Sequence, residues 1–329
     1  MTDLAVHGRA PLRVSFAGGG TDVPPYPELF GGAVLSCTID LYAYATVRST
    51  DGRSSVQSPD LVAAAALSGR RRLGHSVVST FERNARVVLG CDAPPGSGLG
   101  ASSSLVVALC AAMAELSSTP IGPYDLAKQA IHVEREQLRI PGGMQDHYAA
   151  AFGGWNFIEF GADDVHVNPL RLRSDVRAEL QASLLLLPTP SVSRRSSGIL
   201  RRQVAAYERK DDDVLAALAT IKEQATRARA AVLHGDLAGL AAVLHEGWQT
   251  KRRLASGIAT DDIDQLYEMA RGLGVTGGKL LGAGGGGFLL LMVPFDRRGH
   301  VVRELRARNL EPVNVTFVDE GAHTWRALG

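Results

Sequence analysis

The chain has 329 residues, which is long enough for two ordinary domains with large apolar cores. Its 35 Lys and Arg residues nearly balance its 34 Asp and Glu residues, so no overall field attracts nucleic acid or an anionic membrane surface. Three widely spaced cysteines, and the lack of a signal peptide or a membrane-length apolar run, predict reduced thiols and a cytoplasmic location.

Hydrophobic patterning predicts an α+β fold in two halves. In the first half, strands are expected at 11–17, 33–48, 86–91 and 155–160, and helices at 102–116 and 125–139. In the second half, after an apolar run at 184–187, helices are expected at 197–209, 214–233, 237–254, 261–273 and 297–308, with strands at 288–293 and 312–318. We therefore divide the chain into residues 1–182 and 183–329.

A segment rich in glycine and serine, residues 92–105, leads into the first predicted helix. Gly96, Gly98 and Gly100 allow a tight turn and a close approach to a ligand, and a helix N-terminus favours an anion. A glycine turn with a serine N-cap would explain the same residues. The predicted phosphate-binding residues are Pro95, Gly96, Ser97, Gly98, Leu99, Gly100, Ala101, Ser102, Ser103 and Ser104.

Other phosphate and nucleotide signatures do not fit this chain. Gly278-Lys279 is followed by Leu280, whereas a Walker loop needs Ser or Thr there. Residues 282–287 have the letters of a dinucleotide fingerprint but run into a strand-like segment where the fingerprint requires a helix. The protein-kinase motifs His-Arg-Asp and Asp-Phe-Gly do not occur in the sequence.

Three glycine-rich motifs, at 10–22, 95–103 and 279–287, resemble in their order those of the GHMP kinases. The match spans nearly the whole chain. Within that family, residues 18–26 and 143–154 most resemble the heptose 7-phosphate kinases, which phosphorylate an anomeric hydroxyl. The resemblance implies an N-terminal domain like domain 2 of ribosomal protein S5, a ferredoxin-like C-terminal domain, and an active site between them.

The same resemblance implies ATP and Mg²⁺ as cofactors and assigns roles to single residues. Asp146 matches the catalytic aspartate, which accepts the proton of the sugar hydroxyl or holds that hydroxyl by charge. Arg13 would steady the developing negative charge. Ser102 matches the serine whose hydroxyl approaches the metal, although Ala101 replaces the serine that the family has before it. Glu134 is the second expected Mg²⁺ ligand.

The position of Glu134 supports a buried role independently of the resemblance. Ala127, Ile131, Glu134 and Leu138 follow helical spacing, so the carboxylate is expected on the apolar face of its helix. A buried carboxylate needs a partner, and either a metal or an arginine such as Arg135 would provide one.

Substrate contacts are expected from the first and third glycine motifs and from the residues around Asp146. Asp22 is expected to bind ring hydroxyls, although Asp also favours an Asx turn at this position. Arg194 and Arg195 would suit a distal phosphate, or they form a solvated face. The predicted substrate-binding residues are Gly19, Gly20, Thr21, Asp22, Gly143, Gln145, Arg194, Arg195, Gly284 and Gly285.

The sequence thus predicts an ATP-dependent kinase for the anomeric hydroxyl of a sugar phosphate, with a heptose 7-phosphate as the preferred acceptor. One alternative is a kinase of the same fold for fucose, galactose or a longer sugar phosphate. Another is a catalytically silent sugar or nucleotide sensor, since fold does not dictate function. The presence of Arg13, Ser102, Glu134 and Asp146 argues against the sensor. The expected partner is a small-molecule sugar or sugar phosphate, with no nucleic acid or membrane, and a homodimer is a possible assembly.

Overall fold

The described part of the chain, residues 4–61, 64–190, 196–209 and 211–328 of a computed structural model, forms two β-sheets covered by helices. The strands are β1 (Leu4–Ala17), β2 (Gly32–Ser49), β3 (Ser55–Gln57), β4 (Ala85–Cys91), β5 (Trp155–Phe160), β6 (Val165–Pro169), β7 (Leu184–Pro188), β8 (Gly277–Leu280), β9 (Phe288–Met292), β10 (Val313–Asn314) and β11 (His323–Leu328). The first sheet has the order β11-β1-β2-β4-β3, with β5 and β6 added beside β2. The second sheet has the order β10-β7-β9-β8.

Helices connect these strands and cover both sheets. They are α1 (Tyr26–Phe30), α2 (Ala64–Thr80), α3 (Ala101–Leu116), α4 (Pro123–Ile131), α5 (Gln145–Phe152), α6 (Ser174–Ser183), α7 (Ser196–Glu208), α8 (Asp212–His234), α9 (Leu237–Lys251), α10 (Asp261–Gly272) and α11 (Phe295–Arg306). Within the described ranges, none of them combines the length and the apolar composition needed to cross a bilayer.

Strands β1 and β2 are the long antiparallel pair on which the first sheet is built. Their register runs from Ala5↔Arg48 to Ala17↔Leu35. The N-terminal half of β2 also pairs with β5, and its C-terminal half pairs with β4. Strand β2 therefore has neighbours along both edges. Arg13 on β1 lies opposite Thr38 of β2 and is only 4% exposed.

Helix α3 is apolar on every side and crosses β1 and β2. Every residue from Leu105 to Ala114 is buried. A helix of this composition needs cover on all faces, and the cover here comes from β1, β2, α4 and α5. Gly8 permits the close approach, because a Cβ there would lie 2.5 Å from the carbonyl oxygen of Ala108. The N-terminal end of α3 is thereby fixed against the first sheet.

The second sheet divides its side chains between two apolar clusters. Leu186 and Leu290 pack with the first sheet and with α8 and α9, in the larger cluster. Their neighbours Leu185 and Leu291 point to the other face and pack around Trp248 in a smaller cluster. This alternation is the two-residue period of a strand. The larger cluster is shared by both halves of the chain.

The end of the chain departs from the predicted order. The expected strand at 312–318 is wrong beyond Asn314, because only β10 pairs in the second sheet. Phe317 then bridges to Ile39 of β2, and β11 pairs with β1. The otherwise open outer edge of β1 offers unpaired backbone groups, and β11 covers them. The division at residue 183 thus follows the order of the sheets along the chain but not the position of this last strand.

The α+β class is confirmed, and the remaining differences concern single elements. The expected helix at 125–139 is α4 followed by a π-helical turn, His132–Gln137. Helices α1, α2, α5 and α6 were not predicted, although Leu73, Val77 and Val78 of α2 are buried at helical spacing. The strand expected from residue 11 begins at Leu4.

Candidate active site

A cavity of about 420 Å³ opens where the three glycine-rich motifs meet. It lies between the first sheet with α3 and α5 on one side and the end of α9 with the third motif on the other. The predicted site residues that line it are Arg13, Gly19, Gly20, Asp22, Pro95, Gly96, Ser97, Gly98, Gly100, Ala101, Ser102, Ser103, Glu134, Gly143, Gln145 and Asp146. The structure therefore brings together most of the residues that the sequence placed in the site.

The second glycine motif forms a tight loop that ends in α3. Gly96, Gly98 and Gly100 have φ of 82°, 79° and 80°, in the left-handed region that favours glycine. Gly100 is the N-cap of α3 and provides no side-chain cap, so the alternative of a serine N-cap is wrong. The first N–H groups of a helix have no acceptor within it. Here they begin at Ala101 on the cavity wall and favour an anion there.

The third glycine motif holds this loop in place by backbone contact. A Cβ on Gly98 would lie 2.5 Å from the carbonyl oxygen of Leu281, and one on Gly287 would lie 2.5 Å from that of Ser97. Neither position can carry a side chain without moving the two loops apart. The predicted Gly284 and Gly285 instead pack on Ile258: a Cβ on Gly284 would lie 2.7 Å from its Cα, and the N–H of Gly285 donates to its carbonyl.

Asp146 and Arg13 form an ion pair beside this loop. Asp146 lies in the first turn of α5, and its Oδ1 accepts from Nε of Arg13 at 2.7 Å and lies 2.5 Å from Nη2. Arg13 also donates from Nη1 to the carbonyl oxygen of Gly98 at 2.7 Å. A Cβ on Gly100 would lie 3.3 Å from Cγ of Asp146. The carboxylate is thus held against the loop that would carry the phosphates.

Glu134 lies in the π-helical turn and is 1% exposed. Ser102 Oγ donates to its Oε1 at 2.6 Å, Ser103 Oγ donates to Oε2 at 2.7 Å, and His147 Nε2 lies 2.8 Å from Oε2. Arg135 Nη1 is 3.5 Å from Oε2, so the expected ion pair with arginine is present as one contact among several. Burial alone would raise the pKa of Glu134. The charge of Arg135 and the hydrogen bonds from His147 and Ser102 outweigh burial and hold that pKa well below its usual range.

Asp22 connects the first glycine motif to the start of α5. Its carboxylate accepts from the N–H of Gly20 at 3.0 Å, and from both the backbone and the side-chain nitrogen of Gln145 at 3.1 Å. Gly143 must be glycine, because a Cβ there would lie 1.9 Å from Oδ2 of Asp22. Asp22 lines the cavity, but most of its hydrogen-bonding capacity is used to hold this wall.

Three predicted residues lie behind the cavity wall. Thr21 is buried, donates to the carbonyl of Gly18 at 2.8 Å and accepts from the N–H of Ala33 at 3.1 Å. Ser104 donates to the carbonyl of Pro11 at 3.0 Å, and Leu99 is packed in the core. Arg194 and Arg195 lie outside the described residues, so their predicted contact with a phosphate stays a prediction. The neighbouring helix α7 contributes Leu200 and Gln203 to the cavity.

Sequence reasoning missed several residues of the wall. Ser15 lies on β1 two residues after Arg13 and lines the same cavity. Residues two apart share a face of a strand, and this signal could have identified Ser15 from the sequence. Lys251 reaches in from the end of α9, far along the chain from any motif, and Lys279 opens the third motif without a predicted role. Arg70 and Arg72 come from α2, whose helix was not predicted.

The chain is similar to known sugar kinases in sequence and in fold. The family described as GHMP kinases N terminal domain matches residues 60–154, and GHMP kinases C terminal matches residues 228–310. A D-glycero-alpha-D-manno-heptose 7-phosphate kinase of Campylobacter jejuni is 33% identical over 98% of this chain and 99% of its own length. A bifunctional fucokinase/GDP-fucose pyrophosphorylase of Arabidopsis thaliana is 26% identical over 91% of this chain and 30% of its own. The crystal structure of a D-glycero-D-manno-heptose 1-phosphate kinase from Bacteroides thetaiotaomicron superposes with a TM-score of 0.77 at 33% identity, covering 97% of this chain and 98% of that one.

Proposed function

Because the chain belongs to the GHMP kinase family and has its two-domain α+β fold, we propose that it transfers the terminal phosphoryl group of ATP to the anomeric hydroxyl of a sugar phosphate. The acceptor that we propose is a heptose 7-phosphate, which gives a sugar 1,7-bisphosphate and ADP. The similarity to the Campylobacter jejuni kinase over both full lengths supports this choice. The observation that carries the proposal is the Arg13–Asp146 ion pair against the glycine loop at the start of α3.

Asp146 would act on the acceptor hydroxyl. Both contacts from Arg13 go to Oδ1, so we assign the hydroxyl to Oδ2, which would accept its proton or hold it by charge. Arg13 would stabilise the charge that develops during transfer, because it lies between this carboxylate and the carbonyl of Gly98. The N–H groups of the loop and of the first turn of α3 would bind the ATP phosphates.

Ser102 and Glu134 would hold Mg²⁺. Hydroxyl and carboxylate oxygens suit this ion, and these two lie 2.6 Å apart on the cavity wall. No group of three His, Cys, Asp or Glu side chains gathers as a metal site within the described ranges. Two protein ligands completed by phosphate oxygens and water are the usual arrangement for Mg²⁺ at a nucleotide. When bound, the ion neutralises charge on the phosphates. Ser102 would then turn its proton away from Glu134.

A polyhydroxylated ligand fits the side of the cavity near Asp22. Ser15 Oγ and Gln145 Oε1 are buried there and have no hydrogen-bond partner among the described residues. Buried polar atoms in folded proteins almost always have partners, and sugar hydroxyls would provide them. Gly19 lies between the two side chains, since a Cβ there would be 3.3 Å from Nε2 of Gln145 and 3.5 Å from Oγ of Ser15.

The proposal is tested by incubating the protein with ATP, Mg²⁺ and single acceptors, namely a heptose 7-phosphate, the free heptose, fucose and galactose. ADP release gives the rate, and ³¹P NMR shows whether the new phosphate is on the anomeric oxygen. We expect the highest kcat/KM with the heptose 7-phosphate. A preference for free fucose or galactose would favour the alternative kinase, and ligand binding without any turnover would favour the sensor.

A further inference from the structure

Two lysines in the cavity wall have no role in the chemistry described so far. Lys251 is the last residue of α9, and Lys279 lies within β8 and is 6% exposed. The Nζ of Lys251 donates to the carbonyl of Gly282, and that of Lys279 donates to the carbonyl of Phe16 at 3.2 Å. Neither forms an ion pair with a carboxylate of the described residues. Each ammonium has three donors, so each has donors left for a ligand.

The charges around these lysines are unbalanced. Lys251 interacts electrostatically with Arg13, Asp22 and Asp146, and Lys279 interacts with Lys251, Arg13 and Asp22. Asp146 is already paired with Arg13, which leaves Asp22 as the one carboxylate of these five groups for two lysines. With both amines protonated, one positive charge among these groups is not balanced. Holding such charge away from water is unfavourable unless an anion joins it.

The pKa values point the same way. Desolvation and the charge of Arg13 lower the pKa of Lys251 to about 8. Desolvation and the charges of Lys251 and Arg13 lower the pKa of Lys279 well below its usual range. An anion bound between the amines would raise both values again, because it favours the charged form.

The pair lies between the two ends of the proposed site. Gly282, which accepts from Lys251, packs on the glycine loop, since a Cβ there would lie 2.6 Å from Cα of Gly98. Phe16, which accepts from Lys279, follows Ser15 on the side where the sugar hydroxyls are expected. An anion within reach of both amines would therefore lie between the nucleotide loop and the sugar.

We propose that Lys251 and Lys279 form a subsite for a phosphate group, which is either the phosphoryl group transferred from ATP or the phosphate that the sugar already carries. The inference rests on the proposed function, because it concerns the same cavity. It adds Lys251 and Lys279 to the proposed site, as residues that bind a phosphate oxygen directly. Because the bound anion favours the charged amines, ligand binding is coupled to proton uptake.

Calorimetry on the unmodified protein tests the proton coupling. At pH 8 a phosphate monoester is already deprotonated, since its second pKa is about 6. We expect ATP or the heptose 7-phosphate to bind with proton uptake, seen as a binding enthalpy that changes with the ionisation enthalpy of the buffer. The charged groups facing the lysines are Arg13, Asp22 and Asp146. Binding of both ligands without proton uptake would overturn the inference.

Affinity measurements on Lys251→Met and Lys279→Met distinguish the two sources of the phosphate. If the transferred group is bound, both variants lose more than about tenfold in affinity for ATP but not for ADP, the loss expected for one charge-assisted contact. If the sugar's phosphate is bound, they lose this factor for the heptose 7-phosphate but not for the free heptose. Lys251→Arg, which keeps the charge, should lose less affinity than Lys251→Met. Lys128→Met, at an exposed lysine of α4, should bind each ligand with the affinity of the parent.

The outcomes separate this inference from the proposed function. Folded variants that bind all four ligands like the parent would show that the lysines only support the fold, and would overturn the inference. A parent that shows lysine-dependent binding of ATP or sugar phosphate but no turnover would overturn the proposed function and leave the phosphate subsite standing.

Discussion

Among single residues, Asp146 has the most direct role in the proposed reaction. One of its carboxylate oxygens is fixed by Arg13, and the other is assigned to the acceptor hydroxyl. Asp146→Asn keeps the shape but removes the base and the charge. We expect kcat to fall by about 10²–10⁴-fold, the usual range for a positioned acid or base, while ATP affinity changes little. Asp163→Asn, at an exposed turn, is the control. A loss below about tenfold would leave Asp146 only a positioning role.

Glu134→Gln tests the metal assignment. The amide is a poor Mg²⁺ ligand, so the Mg²⁺ concentration for half-maximal activity should rise and turnover should fall. Stability, measured as the thermal midpoint, should be affected less than turnover, since the amide oxygen still accepts from Ser102 or Ser103. Glu136→Gln, in the same π-helical turn but exposed, should match the parent. An unchanged Mg²⁺ titration with a lowered thermal midpoint would mean that Glu134 only ties Ser102, Ser103 and His147 together.

Lys251 should make activity depend on pH in the alkaline range. Its pKa near 8 means that the amine loses its charge as the pH rises through that value, while an unperturbed lysine keeps it to about pH 10.4. We expect kcat/KM to decline above pH 8, and Lys251→Arg to move the decline to higher pH. Between pH 8 and about 10.4, Lys251 is protonated in the unfolded chain but not in the folded protein. The contribution of this group to the free energy of unfolding therefore rises with pH. The same alkaline limb in parent and Lys251→Arg would contradict the assignment.

The part of the site that could be predicted from the sequence is the part that is local in sequence. The glycine loop, Asp146 and Asp22 lie within short motifs, and each lines the cavity. Lys251 could not be predicted, because it reaches the cavity only through the packing of α9 against β8. Thr21 sits in the predicted motif but faces the backbone of Gly18 and Ala33, since neighbouring residues of a turn point in different directions.

At the scale of elements, the contact between the second and third glycine motifs fixes the phosphate loop. Gly98→Val places a branched side chain on a backbone with φ of 79° and against Leu281. We expect ATP affinity to be lost while the protein still unfolds cooperatively. Gly122→Val is the control, since a Cβ there meets nothing within 4 Å. Undiminished ATP binding by folded Gly98→Val would contradict the assignment of this loop to the nucleotide.

Elements with a strong apolar pattern were predicted well, and elements defined by their neighbours were not. The helix expected at 102–116 is α3, because its run of apolar residues leaves no other choice. The π-helical turn after α4 adds one residue to a turn, a change that helical spacing does not reveal. Strand β11 has a mixed pattern and is defined by the open edge of β1.

For the whole molecule, the shared apolar cluster predicts that the two halves unfold together. The larger cluster contains Trp155 of β5 together with Leu186 and Leu290 of the second sheet, while Trp248 lies in the smaller one. We replace Trp325 of β11 by Phe in both variants, so that Trp248→Phe keeps only Trp155 and Trp155→Phe keeps only Trp248. We expect each variant to unfold at one midpoint by fluorescence and by far-UV circular dichroism. Separate midpoints for the two probes would show that the halves are independent folding units.

The pairing of β11 with β1 also places distant parts of the chain side by side. Leu4 is opposite Leu328 across the ladder, and neighbouring strands of a sheet lie about 4.8 Å apart. A short linker could therefore join these positions, and the chain could be reopened at the exposed turn between β5 and β6. Such a circular permutant would keep both sheets and the cavity. The new ends would lie at the turn between β5 and β6, which would then be the place for fusion or immobilisation of the kinase.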